Sequence, residues 1–311
     1  MNDNFDSSSF RNKAAGFEDP VQLPNSGDIA RKWQDANKSW WEKTPMRYDW
    51  RESIASQMGT IAYYEEVDRR FFNAVKHYLP WKQIPFESLI PYRDLPNFDV
   101  LEIGVGQGTH AHLIARHAKS FTGIDLTEAA QASTSKRFEL MSLKGRILRM
   151  DAEAMSFPDN SFDFIWSWGV IHHSANTLNV LREMHRVLRP GGHATVMVYY
   201  RSFIQYHLIN GIARGLLRRE FWKIGDIHQI NQAATDGALA RYFSTQDFAR
   251  LLDGLFTITT VWITGQKPDA VPLPSGRLKT FLINNLPDPI TRFVTNRLRL
   301  GTFLIVRIKR L

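Results

Sequence analysis

The sequence predicts an α/β protein built on a doubly wound, mostly parallel seven-stranded sheet with helices on both faces. Three observations carry this. From Phe98 onward, short apolar runs alternate with helical stretches, the pattern that builds parallel sheets. The first run ends in a glycine turn, Gly104-Val105-Gly106-Gln107-Gly108, which opens a helix. The second run ends on a carboxylate, Asp125, 21 residues after Gly104.

In chain order, 98–103 is the first strand and 109–119 a helix. Residues 120–124 form the second strand and 128–143 the second helix. The third strand, 146–150, ends at Asp151, and the fourth is 162–167. A helix over 177–188 is stopped by Pro190-Gly191-Gly192, and 193–200 is the fifth strand. Residues 201–243 are too long for a plain connection and read as an inserted, partly helical cap. Ser244-Thr245-Gln246-Asp247 is a capping box opening a helix through Leu255. The sixth strand is 257–264, a second insertion covers 266–300, and 302–308 is the last strand.

Upstream, residues 1–30 are polar and read as a loose arm. Trp33, Trp40, Trp41, Tyr48 and Trp50 crowd the next stretch, a density expected of rings buried against a core or a ligand. Tyr64, Val67, Phe71, Val75 and Tyr78 have helical spacing, ended by Pro80. The organisation expected is a flexible arm (1–30), an N-terminal helical lid segment (31–96) and an α/β domain (97–311) carrying both insertions.

Composition narrows the function. The 311 residues are 43% hydrophobic, enough for one large core. There are no cysteines, which excludes disulfides, thiolate nucleophiles and thiolate metal sites. Apolar runs such as 303–306 fall far short of the roughly 18 residues that span a membrane. The N-terminal residues lack the pattern of a secretory leader, so a cytoplasmic location is expected. The formal net charge is +8. Its excess gathers in 277–311, where Arg277, Lys279, Arg292, Arg297, Arg299, Arg307, Lys309 and Arg310 face Asp288 alone. That edge is either simply solvated or makes a weak contact with an anionic surface or substrate.

The glycine turn has its own meaning. Glycine permits backbone to pass close to a ligand, and the helix behind it offers free N–H groups. The dinucleotide fingerprint needs a third glycine where this chain has Thr109, so the pattern is GxGxG. That argues against a pyrophosphate, and hence against an NAD oxidoreductase, and for a compact nucleoside with a short tail. A carboxylate placed as Asp125 is can accept from both hydroxyls of a ribose.

Four motifs in order, VLEIGVGQG from Val100, GIDL from Gly123, DAE from Asp151 and RVLRPGG from Arg186, resemble those of the class I methyltransferases that use S-adenosylmethionine (SAM). The resemblance covers about 98–200. It implies that Gly104, Gly106 and Gly108 line the methionine part of SAM, that Asp125 binds the ribose hydroxyls, and that Asp151, with Ala152 beside it, accepts from the adenine amino group. Glu102, Gln107, Leu126 and Glu153 are cofactor-binding candidates with them. Trp166, Ser167 and Trp168 would then lie near the sulfonium. It further implies an antiparallel seventh strand at 302–308, release of S-adenosylhomocysteine as product, and no metal.

Methyl transfer from a sulfonium needs alignment and exclusion of water, with a base when the acceptor is a hydroxyl or ammonium. His172 and His173, just past the fourth strand, are the catalytic candidates. Tyr48, Tyr64, Tyr200, Arg201, Arg241 and Tyr242 are candidates on the acceptor side. The chain lacks the Asn/Asp-Pro-Pro-aromatic motif of amino-methylating DNA enzymes and any recognisable RNA-binding module, which argues against nucleic acid as substrate. The expected acceptor is a small or medium-sized metabolite, first a hydroxyl of a sugar or natural product. N-methylation of a small amine and a catalytically silent SAM-binding partner protein are the alternatives. A homodimer is left open.

Overall fold

The computed structural model describes residue 24 and residues 26–49, 52–273 and 276–311. The rest of the expected arm up to Asn25, and Trp50, lie outside them.

Seven strands form one sheet in the order β3-β2-β1-β4-β5-β7-β6. They are β1 (Asp99–Ile103), β2 (Ser120–Asp125), β3 (Arg146–Arg149), β4 (Phe162–Trp168), β5 (Leu188–Tyr199), β6 (Phe256–Thr264) and β7 (Phe303–Arg310). All pairs from β3 to β5 are parallel, and β7 runs antiparallel between β5 and β6. The expected α/β class and antiparallel last strand are therefore both present.

Alternate strand residues enter two different cores. Leu101, Ile103, Ile165, Val196, Val198 and Val306 pack on one face, and Val100, Phe164, Trp166, Met197 and Ile305 on the other. Period-two side chains that are apolar on both sides require helices on both sides. α5 (Thr177–Val187) and α7 (Thr245–Leu252) supply the first face. α2 (Ile61–Lys76), α3 (Ala111–Ala115) and α4 (Glu128–Leu140) supply the second. The capping box is present: Ser244 and Asp247 bond each other's backbone N–H at the start of α7. That helix ends at Leu252, three residues before the expected Leu255.

Three other boundaries differ from the sequence expectation. Gly27 opens α1 (Gly27–Lys43) inside the expected arm, because the Ser26 side chain caps the N–H of Ile29. The helix expected over 109–119 contracts to α3. β5 starts before the Arg-Pro-Gly-Gly turn: Leu188 pairs with Phe162 and His193 with Phe164, so 189–192 bulge out within the strand. Gly191 at φ +79 makes that bulge possible. Arg189 ties it down by ion pairs to Asp99 and Asp163.

The insertions are helical. The first holds a wide-pitch helix Phe203–Leu217 and α6 (Ile227–Ala233). The second holds α8 (Arg277–Asn285) and α9 (Asp288–Arg292). Among the described residues, no helix is long and apolar enough to cross a membrane.

Candidate functional site

The site gathers at the carboxyl ends of β1, β2 and β4. Gly104, Gly106 and Gly108 sit at φ +81, +52 and +74, a region that L side chains rarely adopt. The three differ in what surrounds them. A Cβ on Gly104 would lie 2.2 Å from a methyl of Val170, and one on Gly108 3.1 Å from Thr134 and Arg137. A Cβ on Gly106 would meet nothing within 4 Å. Gly106 is therefore the point where backbone faces open space, and Gly104 and Gly108 are glycines because the protein itself is close. Gly104→Ala should cost at least about 2 kcal/mol, from backbone strain plus overlap. Gly106→Ala should cost only about 1 kcal/mol of strain but should weaken binding of a ligand that passes there. Thermal unfolding and ligand titration of both variants check this; equal losses in both assays would refute the distinction.

Asp125, at the end of β2, accepts from the Gly106 N–H at 3.2 Å and from Thr127 N and Oγ1 at 3.0 and 2.8 Å. It thereby pins the glycine turn to the second strand. Burial holds its carboxyl above the usual range. Leu126 beside it is half-buried.

Among the described residues, Glu102 and Ser167 are two of the groups here that lack hydrogen-bond partners. Glu102 is fully buried, and neither of its carboxyl oxygens has a hydrogen-bond partner. Burial, reinforced by the Asp125 charge, pushes its pKa well up and so disfavours the ionised form. Ser167 Oγ on β4 is likewise buried and unpartnered. Buried polar atoms normally find partners, and a neutral buried carboxyl ionises again when a cation is brought beside it. A ligand with an ammonium and other polar atoms at the glycine turn fits these two residues. Trp166 is fully buried and Trp168 half-buried, their rings stacked at 5.3 Å and 5°. Gln107 is buried, and its Oε1 accepts from Tyr63 OH and Ser133 Oγ, which joins α2 and α4 to the turn.

Asp151 follows β3. Gln34 of α1 donates to both its carboxylate oxygens at 3.0 Å, and the Glu153 N–H donates to Oδ1 at 2.9 Å. The same Gln34 accepts from the Ala175 N–H at 3.2 Å. Glu42, further along α1, accepts from Glu128 N and Ala129 N at the start of α4, each at 2.9 Å. The N-terminal helix thus lies across the ends of β2 and β3. Glu153 accepts from Ser174 Oγ and Asn176 N, which orders the loop after β4. Ala152 is half-buried between them.

Past β4, His172 is fully buried, and neither ring nitrogen has a hydrogen-bond partner. Burial keeps its pKa well below 6.5, so the imidazole is neutral. Its ring lies against Tyr199, centroids 3.9 Å apart and tilted by 35°. His173 bonds the Leu239 carbonyl through Nδ1, so that nitrogen is the donor, and its ring meets the edge of Trp41 at 5.0 Å.

Tyr199, Tyr242, Gln205, Asp236, Asp269 and Thr302 line a cavity of about 230 Å³ between the two insertions. Tyr199 and Tyr242 stack at 5.2 Å. Asp269 accepts from Thr302 Oγ1 and Gln266 N, both at 2.8 Å. Burial nevertheless pushes its pKa up to about 6. A folded pKa above the unfolded 3.8 means that the stability contribution is complete below pH 4 and is lost as pH rises through 6. The gap of about 2 units corresponds to about 3 kcal/mol. The stability of the wild type relative to Asp269→Asn, which does not titrate, should therefore fall by that amount between pH 4 and 8. Urea denaturation across this range tests it; parallel pH profiles would refute it.

The other sequence candidates are placed as follows. Tyr48, at φ +59, packs on Phe71 at 5.0 Å. Tyr64 is fully buried and donates to the Ser133 carbonyl at 2.7 Å. Tyr200 is half-buried against the core and bridges to Phe243. Arg201 pairs with Asp247 at 2.7 Å. Arg241 is buried, donates to the carbonyls of Ser174 and Ala175, and has its pKa lowered to about 9 by burial. Of these six, only Tyr242 lines the cavity; Tyr64, Arg201 and Arg241 make contacts within the fold. Sequence reasoning missed Gln34, Tyr199 and Asp269.

Residues 101–196 match the family model described as a methyltransferase domain. The chain is 38% identical over 102 residues to a phthiotriol/phenolphthiotriol dimycocerosates methyltransferase of Mycobacterium tuberculosis, a match covering 32% of this chain and 37% of that protein. The chain is also similar to a 27-O-demethylrifamycin SV methyltransferase of Amycolatopsis mediterranei, at 33% over 96 residues, 30% of this chain and 35% of that protein. The chain thus spans little more than a third of the length of these curated relatives. A chain from the Haloferax volcanii complex of the Trm112 methyltransferase activator has the same fold, with TM-score 0.50 and 15% identity over 82% of this chain and 99% of that one. Domain match, motifs and sheet together define a class I SAM-dependent methyltransferase domain, and this chain carries one.

Proposed function

We propose that this protein transfers the methyl group of SAM to a hydroxyl of a small or medium-sized metabolite, with a sugar or another natural product as acceptor. The observation that carries this is the placement of two sites along one end of the sheet. The glycine turn and its carboxylates lie at one end of a row of strand termini. The Tyr199–Tyr242 cavity lies further along the same sheet end, and the buried neutral His172 lies against Tyr199. The rifamycin-directed relative acts at an oxygen, which supports O-methylation.

SAM, when bound, supplies a methyl group on an already activated sulfonium, so no metal is needed. Gly106 gives its backbone room, Asp125 accepts from the ribose, and Asp151 accepts from the adenine once Gln34 yields. Glu102 and Ser167 meet the polar end of the methionine. α1 closes over these groups and excludes water. The tyrosine stack offers flat faces and hydroxyls to a ring-shaped acceptor. His172, with a lone pair to spare, accepts the hydrogen bond of the acceptor hydroxyl. Its low basicity means that it would take the proton only as the methyl leaves the sulfonium, with S-adenosylhomocysteine as leaving group, and the methylated hydroxyl becomes acidic.

Calorimetric titration with SAM, S-adenosylhomocysteine and NAD, followed by turnover on sugars, natural-product alcohols and small amines, tests the reading. Binding of the first two and not NAD, with turnover on an alcohol, is expected. Turnover on amines alone would sink the O-methyl assignment, and binding without any turnover would favour a silent SAM-binding partner.

A further inference from the structure

We propose that the two insertions form a docking surface for an anionic lipid bilayer, which holds the mouth of the acceptor cavity at the membrane. The argument begins with topology. Tyr199 pairs with Phe303 and Phe303 with Thr264, so the end of β5, the start of β7 and the end of β6 lie in one row. The first insertion leaves from the end of β5, and the second runs from the end of β6 to the start of β7. Both therefore emerge at the same edge of the sheet, with the cavity lined from both sides.

That edge carries most of the exposed apolar surface. Among the described residues, fifteen large hydrophobic side chains are exposed, and eleven belong to these two insertions. Leu217 and Trp222 are 76% and 75% exposed in the first, and Leu278 and Phe281 are each 64% exposed in the second. α8 buries none of its residues, and Leu278, Phe281 and Leu282 fall at i, i+3 and i+4, a single stripe. Single exposed apolar residues are ordinary, but such a concentration marks an interaction surface.

Charge selects the partner. Arg218, Arg219, Lys223, Arg277, Arg297 and Arg299 are exposed in the same two insertions, whereas each of their five acidic residues is at least partly buried. Glu220 pairs with Arg214, and Asp288 with His77 and Lys267. Outward cations beside outward Trp, Phe and Leu match an interfacial membrane surface with anionic headgroups. A protein partner or a second copy would need a matching acidic, apolar face, and the acidic residues of these insertions are partly buried, with Glu220 and Asp288 already ion-paired.

Co-sedimentation with vesicles of phosphatidylcholine containing about a third phosphatidylglycerol tests this. The wild type should sediment with them, should remain in solution with pure phosphatidylcholine, and should be released by salt. The double variant Trp222→Ser/Phe281→Ser should lose at least about ten-fold in partitioning. The triple variant Arg218→Gln/Arg219→Gln/Lys223→Gln should lose about five-fold per charge. These side chains are exposed and outside the cofactor residues, so unfolding temperature and SAM affinity should stay at wild-type values; this separates lost docking from lost folding. Equal binding to neutral and anionic vesicles overturns the proposal. So does a wild-type dimer that Trp222→Ser/Phe281→Ser dissociates, because the same face would then join two copies.

Discussion

Replacing His172 by phenylalanine is expected to lower kcat by about 10²–10⁴-fold, the usual contribution of a positioned base, and to leave SAM binding unchanged. Phenylalanine keeps a ring packed against Tyr199 and removes both nitrogens, neither of which has a hydrogen-bond partner among the described residues. The loss then reports proton acceptance rather than packing. The pH profile carries a second test. Burial keeps the imidazole neutral well below pH 6.5, so kcat should show no acidic limb near the ordinary histidine value. A limb near 6.5 that disappears in the variant would mean that His172 is solvated in the working enzyme. An unchanged kcat would move proton acceptance elsewhere. His173 is the less suitable group, because Nδ1 is committed to the Leu239 carbonyl and its ring abuts Trp41.

The fold was legible wherever local pattern and burial agree. Strands such as 98–103 and 162–167 are apolar on both faces, and the structure buries them on both faces. The glycine turn after the first strand and the carboxylate ending the second were readable from residue type and spacing; the bond from the Gly106 N–H to Asp125 was not. What could not be read depends on contacts across the chain. Nothing in the helical repeat of 27–43 marks Gln34 as the residue that meets Asp151, 117 positions away. Asp269 looks like a loop carboxylate until the start of β7 brings Thr302 against it. Arg241 looks like a binding residue in a cap, because sequence cannot show that the loop after β4 presents its carbonyls there. The bulge inside β5 was hidden for a related reason. A Pro-Gly-Gly run normally ends an element, and only pairing on both sides of it shows one continuous strand.

Asp125→Ala should weaken SAM binding by about 1–3 kcal/mol, or roughly 5- to 150-fold, the cost of leaving buried hydroxyls without their acceptor. Two effects combine in that number. The carboxylate is lost to the ribose, and the Gly106 N–H is released from its 3.2 Å bond, which loosens the turn. Asp125→Asn separates them, because it keeps one acceptor oxygen and the side-chain volume; its loss should fall between wild type and alanine. Burial already disfavours the ionised form of Asp125, so neither variant should unfold much earlier than wild type. The decisive comparison is between ligands. SAM and S-adenosylhomocysteine share the ribose, so both must weaken by the same factor. A loss confined to SAM would place Asp125 at the sulfonium instead of the ribose. A loss in neither would mean that the nucleoside is held elsewhere, with Asp125 serving only to pin the glycine turn.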